Sequence, residues 1–222
     1  MSAAHARDNV VPINAAAAAN PADDWNPDAS LPEDIEAEII TNRWNSEMQL
    51  LGALMWLTAA EVQQILTYVH DDDIWNPQTR WAIEIIRAVT ADGQDPNPTI
   101  IAAAAKKQPP AGESFPGMPR EWTVGGQGSR YHRLTLHVAN AYTNVVGYGT
   151  TACFHAGEVL DDSYRRAFLE HGIRMQQMAE AMADVEDLTD YATGYFRGNL
   201  RDIWTRRNQL IKHRHTTKET NQ

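Results

Sequence analysis

Ser46-Glu47-Met48-Gln49-Leu50-Leu51-Gly52-Ala53-Leu54-Met55-Trp56-Leu57 is the stretch on which the fold turns. Ser46 followed three places on by Gln49 reads as a capping box, in which side chain and backbone satisfy each other's orphan donors. Met48, Leu51, Leu54 and Met55 recur at spacings of three and four, so one helical face is apolar. The same grammar then repeats. Thr58 with Glu61 makes a second capping box ahead of Val62, Ile65, Leu66 and Val69. Asn76-Pro77 starts a third helix, with Asn as N-cap and proline at the first helical position, where its missing N–H costs nothing. Its stripe is Trp81, Ile85, Ala88 and Val89, closed by Gly93 as C-cap. Asn97-Pro98 opens a fourth, with Ile100, Ile101 and an alanine run behind it. Short helices with short polar joints predict a compact all-α module over 42–107, and no residue in it demands a catalytic role.

Upstream, residues 1–41 are rich in Ala, Asn, Asp and Pro, the composition of a disordered acidic leader. It reads either as a solvating tail or as an acidic arm for a basic partner. Downstream, 108–130 holds Pro109, Pro110, Pro116, Pro119 and five glycines, a density of breakers that no helix survives. Phe115 and Trp122 are expected to pin that loop to the core. The 131–159 stretch supplies a further helix and a connection. Leu134, Val138, Ala141 and Val145 fit helical spacing, although Leu134, Leu136 and Val138 also alternate as a strand does. Gly147, Gly149 and Thr150-Thr151 end it.

From 160 to 213 the spacing predicts a long antiparallel helical hairpin, followed by a tail at 214–222. Asp161, Asp162 and Ser163 are read as N-caps and first-turn acids. Tyr164, Ala167, Phe168, His171, Met175, Met178, Ala179 and Met182 form the first stripe, Asp184–Asp187 the bend, and Leu188, Tyr191, Tyr195, Leu200, Ile203, Trp204 and Leu210 the second. Methionines and aromatics suit an interface as well as a core.

The 222 residues suffice for one ordinary domain with an extension. A net charge of −10 argues against a globally basic nucleic-acid binder. The charge is uneven: eight acids face Arg7 alone up to Ile40, whereas six bases face Asp202 alone from Arg201 to Lys218. Cys153 is the single cysteine, which excludes an intrachain disulfide and fits a reducing compartment. With no apolar run long enough for a bilayer and no secretory signal pattern, no membrane contact is expected and the cytoplasm is the expected location.

Searches for chemistry return little. There is no Gly-x-x-x-x-Gly-Lys-Ser/Thr, and Gly125-Gly126-Gln127-Gly128 lacks a preceding strand and a following lysine, so no phosphate cradle is expected. His132, His137, Cys153, His155 and His171 have no zinc-ligand spacing, so no metal and no cofactor are expected. Cys153 reads as a buried thiol in a weakly structured turn rather than a nucleophile. The run Asp71-Asp72-Asp73 reads as a solvated cap before Trp75. Arg201, Arg206, Arg207, Lys212 and Arg214, with Trp204 among them, either complement a helix C-terminus or contact nucleic acid or an acidic partner.

Two segments carry a resemblance to a known family. Glu47 with Leu50-Leu51-Gly52-Ala53-Leu54-Met55, and Asp73-Ile74-Trp75-Asn76-Pro77-Gln78-Thr79-Arg80, are similar to the opening helix and the Asp-Phe-Tyr-x-Pro-x-His-Arg segment of the N-terminal domain of DnaB-type replicative helicases. Here Ile, Trp and Thr79 replace the family's Phe, Tyr and His. Tyr164-Arg165-Arg166 resembles the start of that family's hairpin. Family members continue into a RecA-like ATPase; no such segment follows before Gln222, so the resemblance implies a stand-alone or split copy without helicase activity. It also implies a collar-type, non-enzymatic replication adaptor that forms dimers or higher homo-oligomers and contacts a replicative helicase or primase. Phe168, Met175, Met178 and Met182 on one arm and Tyr195, Ile203 and Trp204 on the other are the expected self-association residues. A nucleic-acid-binding or partition protein using the basic stretch is the alternative, and an enzyme centred on His132, His137 and His155 a third reading.

Overall fold

A computed structural model describes residues 45–110 and 129–220, the side chains of 215–220 excepted. The leader at 1–41, Phe115, Trp122 and the Gly125–Gly128 run therefore lie outside the described residues. Among those described, the structure is helical and holds no strand. The helices are α1 (Ser46–Leu54), α2 (Ala59–Leu66), α3 (Pro77–Ala91), α4 (Pro98–Ala105), α5 (Arg130–Asn144), α6 (Ala152–Glu180), α7 (Val185–Tyr195) and α8 (Arg201–Thr220). Single 3₁₀ turns fall at Asp71–Asp73 and Tyr148–Thr151, and a π turn at Phe196–Leu200 joins α7 to α8. No described helix is long and apolar enough to cross a membrane.

The capping signals set the starts of α2, α3 and α4. Thr58 and Glu61 form the full reciprocal box, and Asn76 and Asn97 each accept two backbone N–H bonds ahead of a proline. Gly93 takes a left-handed φ of 74° and the chain closes with a bond from the Gln94 N–H to the Val89 carbonyl. On α3, Trp81, Ile85 and Val89 are buried, but Ala88 of the expected stripe faces outward. α5 resolves the helix-or-strand ambiguity: Leu134, Val138, Ala141 and Val145 are buried and Leu136 is exposed, the helical outcome.

α1 differs from its expectation. Its N-cap is Asn45, whose side chain accepts the Glu47 N–H, and Ser46 instead donates to Asp162 at 3.0 Å. Nor is it apolar on one face only: Glu47 and Gln49 through Leu54 are all buried, because α5, α6 and α3 enclose it. Its two buried polar side chains are tethers. Gln49 donates to the Asn144 carbonyl at 3.0 Å and accepts the Val146 N–H at 2.8 Å, while the Glu47 carboxylate accepts the N–H groups of Trp75 at 2.6 Å and Asn76 at 2.9 Å. At Gly52 α5 crosses close to α1. A Cβ there would collide with the Ala141 carbonyl oxygen and sit 2.7 Å from the Val145 Cβ. The two segments quoted for the resemblance are thus bonded to each other through Glu47.

α6 begins nine residues earlier than the sequence suggests, at Ala152. Asp161, Asp162 and Ser163 are consequently mid-helix and cap nothing. Cys153 lies in the first turn of this helix, not in a loose connection. The bend also moves: Met182 takes φ 56°, Ala183 N–H reaches back to the Met178 carbonyl, and Asp184 precedes α7.

Candidate functional site: the helical hairpin and its root

α6 and α7 pair beyond the core to form an arm. At its root His171 is buried, with Tyr195 stacked at 4.1 Å and 3°, Tyr191 at 4.9 Å, and Phe196 edge-on at 5.3 Å. Among the described residues neither ring nitrogen of His171 has a hydrogen-bond partner. Tyr195 donates its hydroxyl proton to the Ala167 carbonyl at 2.7 Å, and burial pushes its pKa up, so it stays protonated. At this point α6 and α7 are joined by ring stacking and by the Tyr195–Ala167 hydrogen bond.

The π turn lies beside this cluster. In the second stripe the apolar steps are four from Tyr191 to Tyr195, five to Leu200 and three to Ile203. An ordinary α-helix does not keep a five-residue step on one face; a single π turn absorbs it. Upstream the chain faces α6 in the arm, and downstream Leu200, Ile203 and Leu210 enter the core. That five-residue step is the sequence signal for the π turn.

The arm leaves large apolar side chains in the open, among exposed Glu170, Arg174, Glu180, Glu186, Asp187 and Asp190. Phe168, Leu169, Ile173, Met182, Val185 and Phe196 are all about half exposed or more, with Met182 at 88%. Of the expected self-association residues, Phe168, Met182 and Trp204 are exposed, and Met175 and Met178 half-buried. Tyr195 is half-buried against His171, and Ile203 is 3% exposed, an interior residue with no surface to offer.

The basic stretch and the triple aspartate are corrected together. Asp72 is exposed and Asp73 does cap its turn, but Asp73 does so as a buried carboxylate, 2% exposed, and not in water. It accepts from Arg206 Nη1 at 2.5 Å and Nη2 at 3.2 Å, from Ser163 Oγ at 2.8 Å and from the His70 N–H at 2.7 Å. Arg206 also bonds Asp202 at 2.8 Å and the Tyr68 carbonyl at 2.6 Å, and these partners outweigh burial to hold its pKa up. Asp71 pairs with Arg87 at 2.8 Å, and Arg207 with Asp161. Two of the five cations expected on a binding face thus clamp the arm's root to the core. Arg201 and Lys212 are exposed, and Arg214 lies 6.0 Å over the Phe154 ring.

His137 bonds the Thr79 hydroxyl at 2.8 Å, and burial lowers its pKa, as it does that of His155. Among the described residues no three His, Cys, Asp or Glu side chains converge as a ligand set. Burial also pushes the Cys153 thiol up, with Arg214 opposing.

No family model and no curated protein matches the sequence. In three dimensions the chain is similar to the crystal structure of the N-terminal domain of DnaB helicase from Mycobacterium tuberculosis. The TM-score is 0.53 at 18% identity, over 69% of this chain and 94% of that one. The two share a helical fold.

Proposed function

We propose that this chain is a non-enzymatic, cytoplasmic component of DNA replication, a collar-type domain that self-associates through its hairpin and contacts a replicative helicase or primase. The observation that carries the reading is the set of large apolar side chains left exposed on the arm, on a fold shared with a helicase N-terminal domain. Covering a Phe or Ile side chain that water now reaches is worth up to about 1.5–3 kcal/mol each. Phe168, Met175, Met178, Met182 and Trp204 stay in the proposed interface, and Leu169, Ile173, Val185 and Phe196 join them. Tyr195 and Ile203 act behind it, as internal supports.

Light scattering at micromolar concentration tests the reading. The full chain is expected as a dimer or larger, and Phe168→Asp with Ile173→Asp as a monomer with unchanged helicity. A wild-type monomer under those conditions sinks it. Addition of the chain to a replicative helicase or primase, followed by co-sedimentation, tests the second half.

A further inference from the structure

A groove of about 1090 Å³ opens at the end of α6 away from the arm, between the C-terminal end of α1, the Tyr148–Thr151 turn and the later turns of α8. The apolar part of its lining is Trp56, Leu57, Tyr148 and Phe154, with Ile65 of α2. The rings are set before anything binds. Trp56 stacks on Tyr142 at 4.6 Å and 5°, and Tyr148 meets Trp56 edge-on at 4.7 Å. The wall is tight as well, since a Cβ on Gly149 would lie 2.6 Å from Leu57 Cδ2. Little side-chain entropy is left to lose on binding, which favours affinity for a short ligand.

Charge selects the ligand. Glu61 lines the groove and keeps its negative charge, but its carboxylate is held at the start of α2 by the Thr58 N–H at 2.9 Å and the Thr58 hydroxyl at 2.7 Å and pairs with no cation among the described residues. The Arg214 guanidinium lines it too, lies over Phe154 and pairs with no carboxylate among the described residues. An apolar floor with one uncommitted guanidinium is complementary to an apolar segment carrying a carboxylate. A nucleic-acid strand would stack on the same rings, but tracking its phosphates takes a row of cations.

We propose that this groove binds a linear peptide from a partner protein, placing aromatic or aliphatic side chains on Trp56, Tyr148 and Phe154 and an Asp or Glu carboxylate on Arg214. The inference rests on the adaptor reading only for which protein supplies the peptide. At about 1.5 Å per residue Phe154 lies about 21 Å from Phe168 and about 28 Å from Ile173 along α6, and Arg214 lies about 15 Å from Trp204 along α8, so the groove uses residues distinct from those of the self-association face.

Random peptides displayed on phage are panned on the full chain, and an enriched peptide is fluorescein-labelled and titrated by anisotropy. Enriched sequences are expected to pair Trp, Phe or Leu with Asp or Glu. Arg214→Glu is expected to weaken binding about tenfold or more, as loss of one charge-assisted bond does. Replacing the peptide's acid with lysine is expected to restore binding to that variant. Bound peptide is expected to slow alkylation of Cys153, which lines the same groove. The Phe168→Asp, Ile173→Asp variant is expected to bind the peptide like wild type, so failure of self-association and failure of the groove are told apart. No enrichment over bare support, equal binding by Arg214→Glu, displacement by oligothymidylate, or a lower oligomer mass in Arg214→Glu would each overturn the proposal, the last two in favour of nucleic acid and of a second copy.

Discussion

From Ala152 to Ala167, α6 buries its small and aliphatic residues against α1 and α8; from Phe168 onward the same helix, with the same three-and-four spacing, holds Phe168, Leu169 and Ile173 in the open. The difference is not one of pattern. The first half uses Ala152, Ala156 and Ala167, small enough for neighbouring helices to approach, around Val159 and Leu160. The second half uses large side chains and, among the described residues, packs against α7 and the π turn on one side. Periodicity announces that a face is to be covered and is silent on whether the same chain covers it.

The hinge between the halves is where the comparison breaks most easily. Arg206 sits on α8 and Asp73 in the core, and Ser163 of α6 shares the carboxylate. Arg206→Ala leaves a buried carboxylate unpaired, and a loss of about 3–5 kcal/mol in urea unfolding is expected. An effect as small as that of an exposed arginine would show that the network does not anchor the arm. Gly52→Ala comes next. It forces α1 and α5 apart in the core half, with an expected cost of about 1–3 kcal/mol and a change in near-UV dichroism from the Trp56–Tyr142 stack, which joins the end of α1 to α5. Thr58→Ala removes one reciprocal cap and is expected to cost about 1 kcal/mol. Phe168→Asp with Ile173→Asp belongs to the open half and is expected to cost monomer stability only about 1 kcal/mol, because both side chains are half-buried and Phe168 meets Phe196, while changing the oligomer mass.

A smaller effect follows from pH. Burial depresses the pKa of His137 and His155, so the unfolded chain takes up these protons first as pH falls. Their contribution is complete above the ordinary histidine value of about 6.5 and is lost as pH drops through the lower folded values. The melting temperature is expected to decline below about pH 6.5, and His137→Gln to flatten that decline.

Particular residues show how far the sequence could be read. Thr58, Asn76, Asn97 and Gly93 act within a turn of themselves, and each does what its local pattern predicts. Ser46, Asp161, Asp162 and Ser163 also look like caps, yet each is taken by a partner far along the chain: Asp162, Arg207, Ser46 and Asp73. A cap residue is ambiguous because the same short acceptor that holds a helix end serves equally well as one end of an ion pair. Trp56 and Phe154, which make the groove floor, lie in different elements and carry no shared motif.

The sequence by itself determined the helical class, the starts of α2, α3 and α4, the existence of the hairpin and its resemblance to the helicase domain, because those depend on spacing and on caps within one turn. Only the tertiary structure decided that α1 is enclosed on all sides, that Asp73 and Arg206 clamp the arm, and that Ile203 faces inward while Phe168 faces water. Those outcomes depend on which distant side chain arrives beside each residue, and burial makes that arrival worth several times more than any local preference.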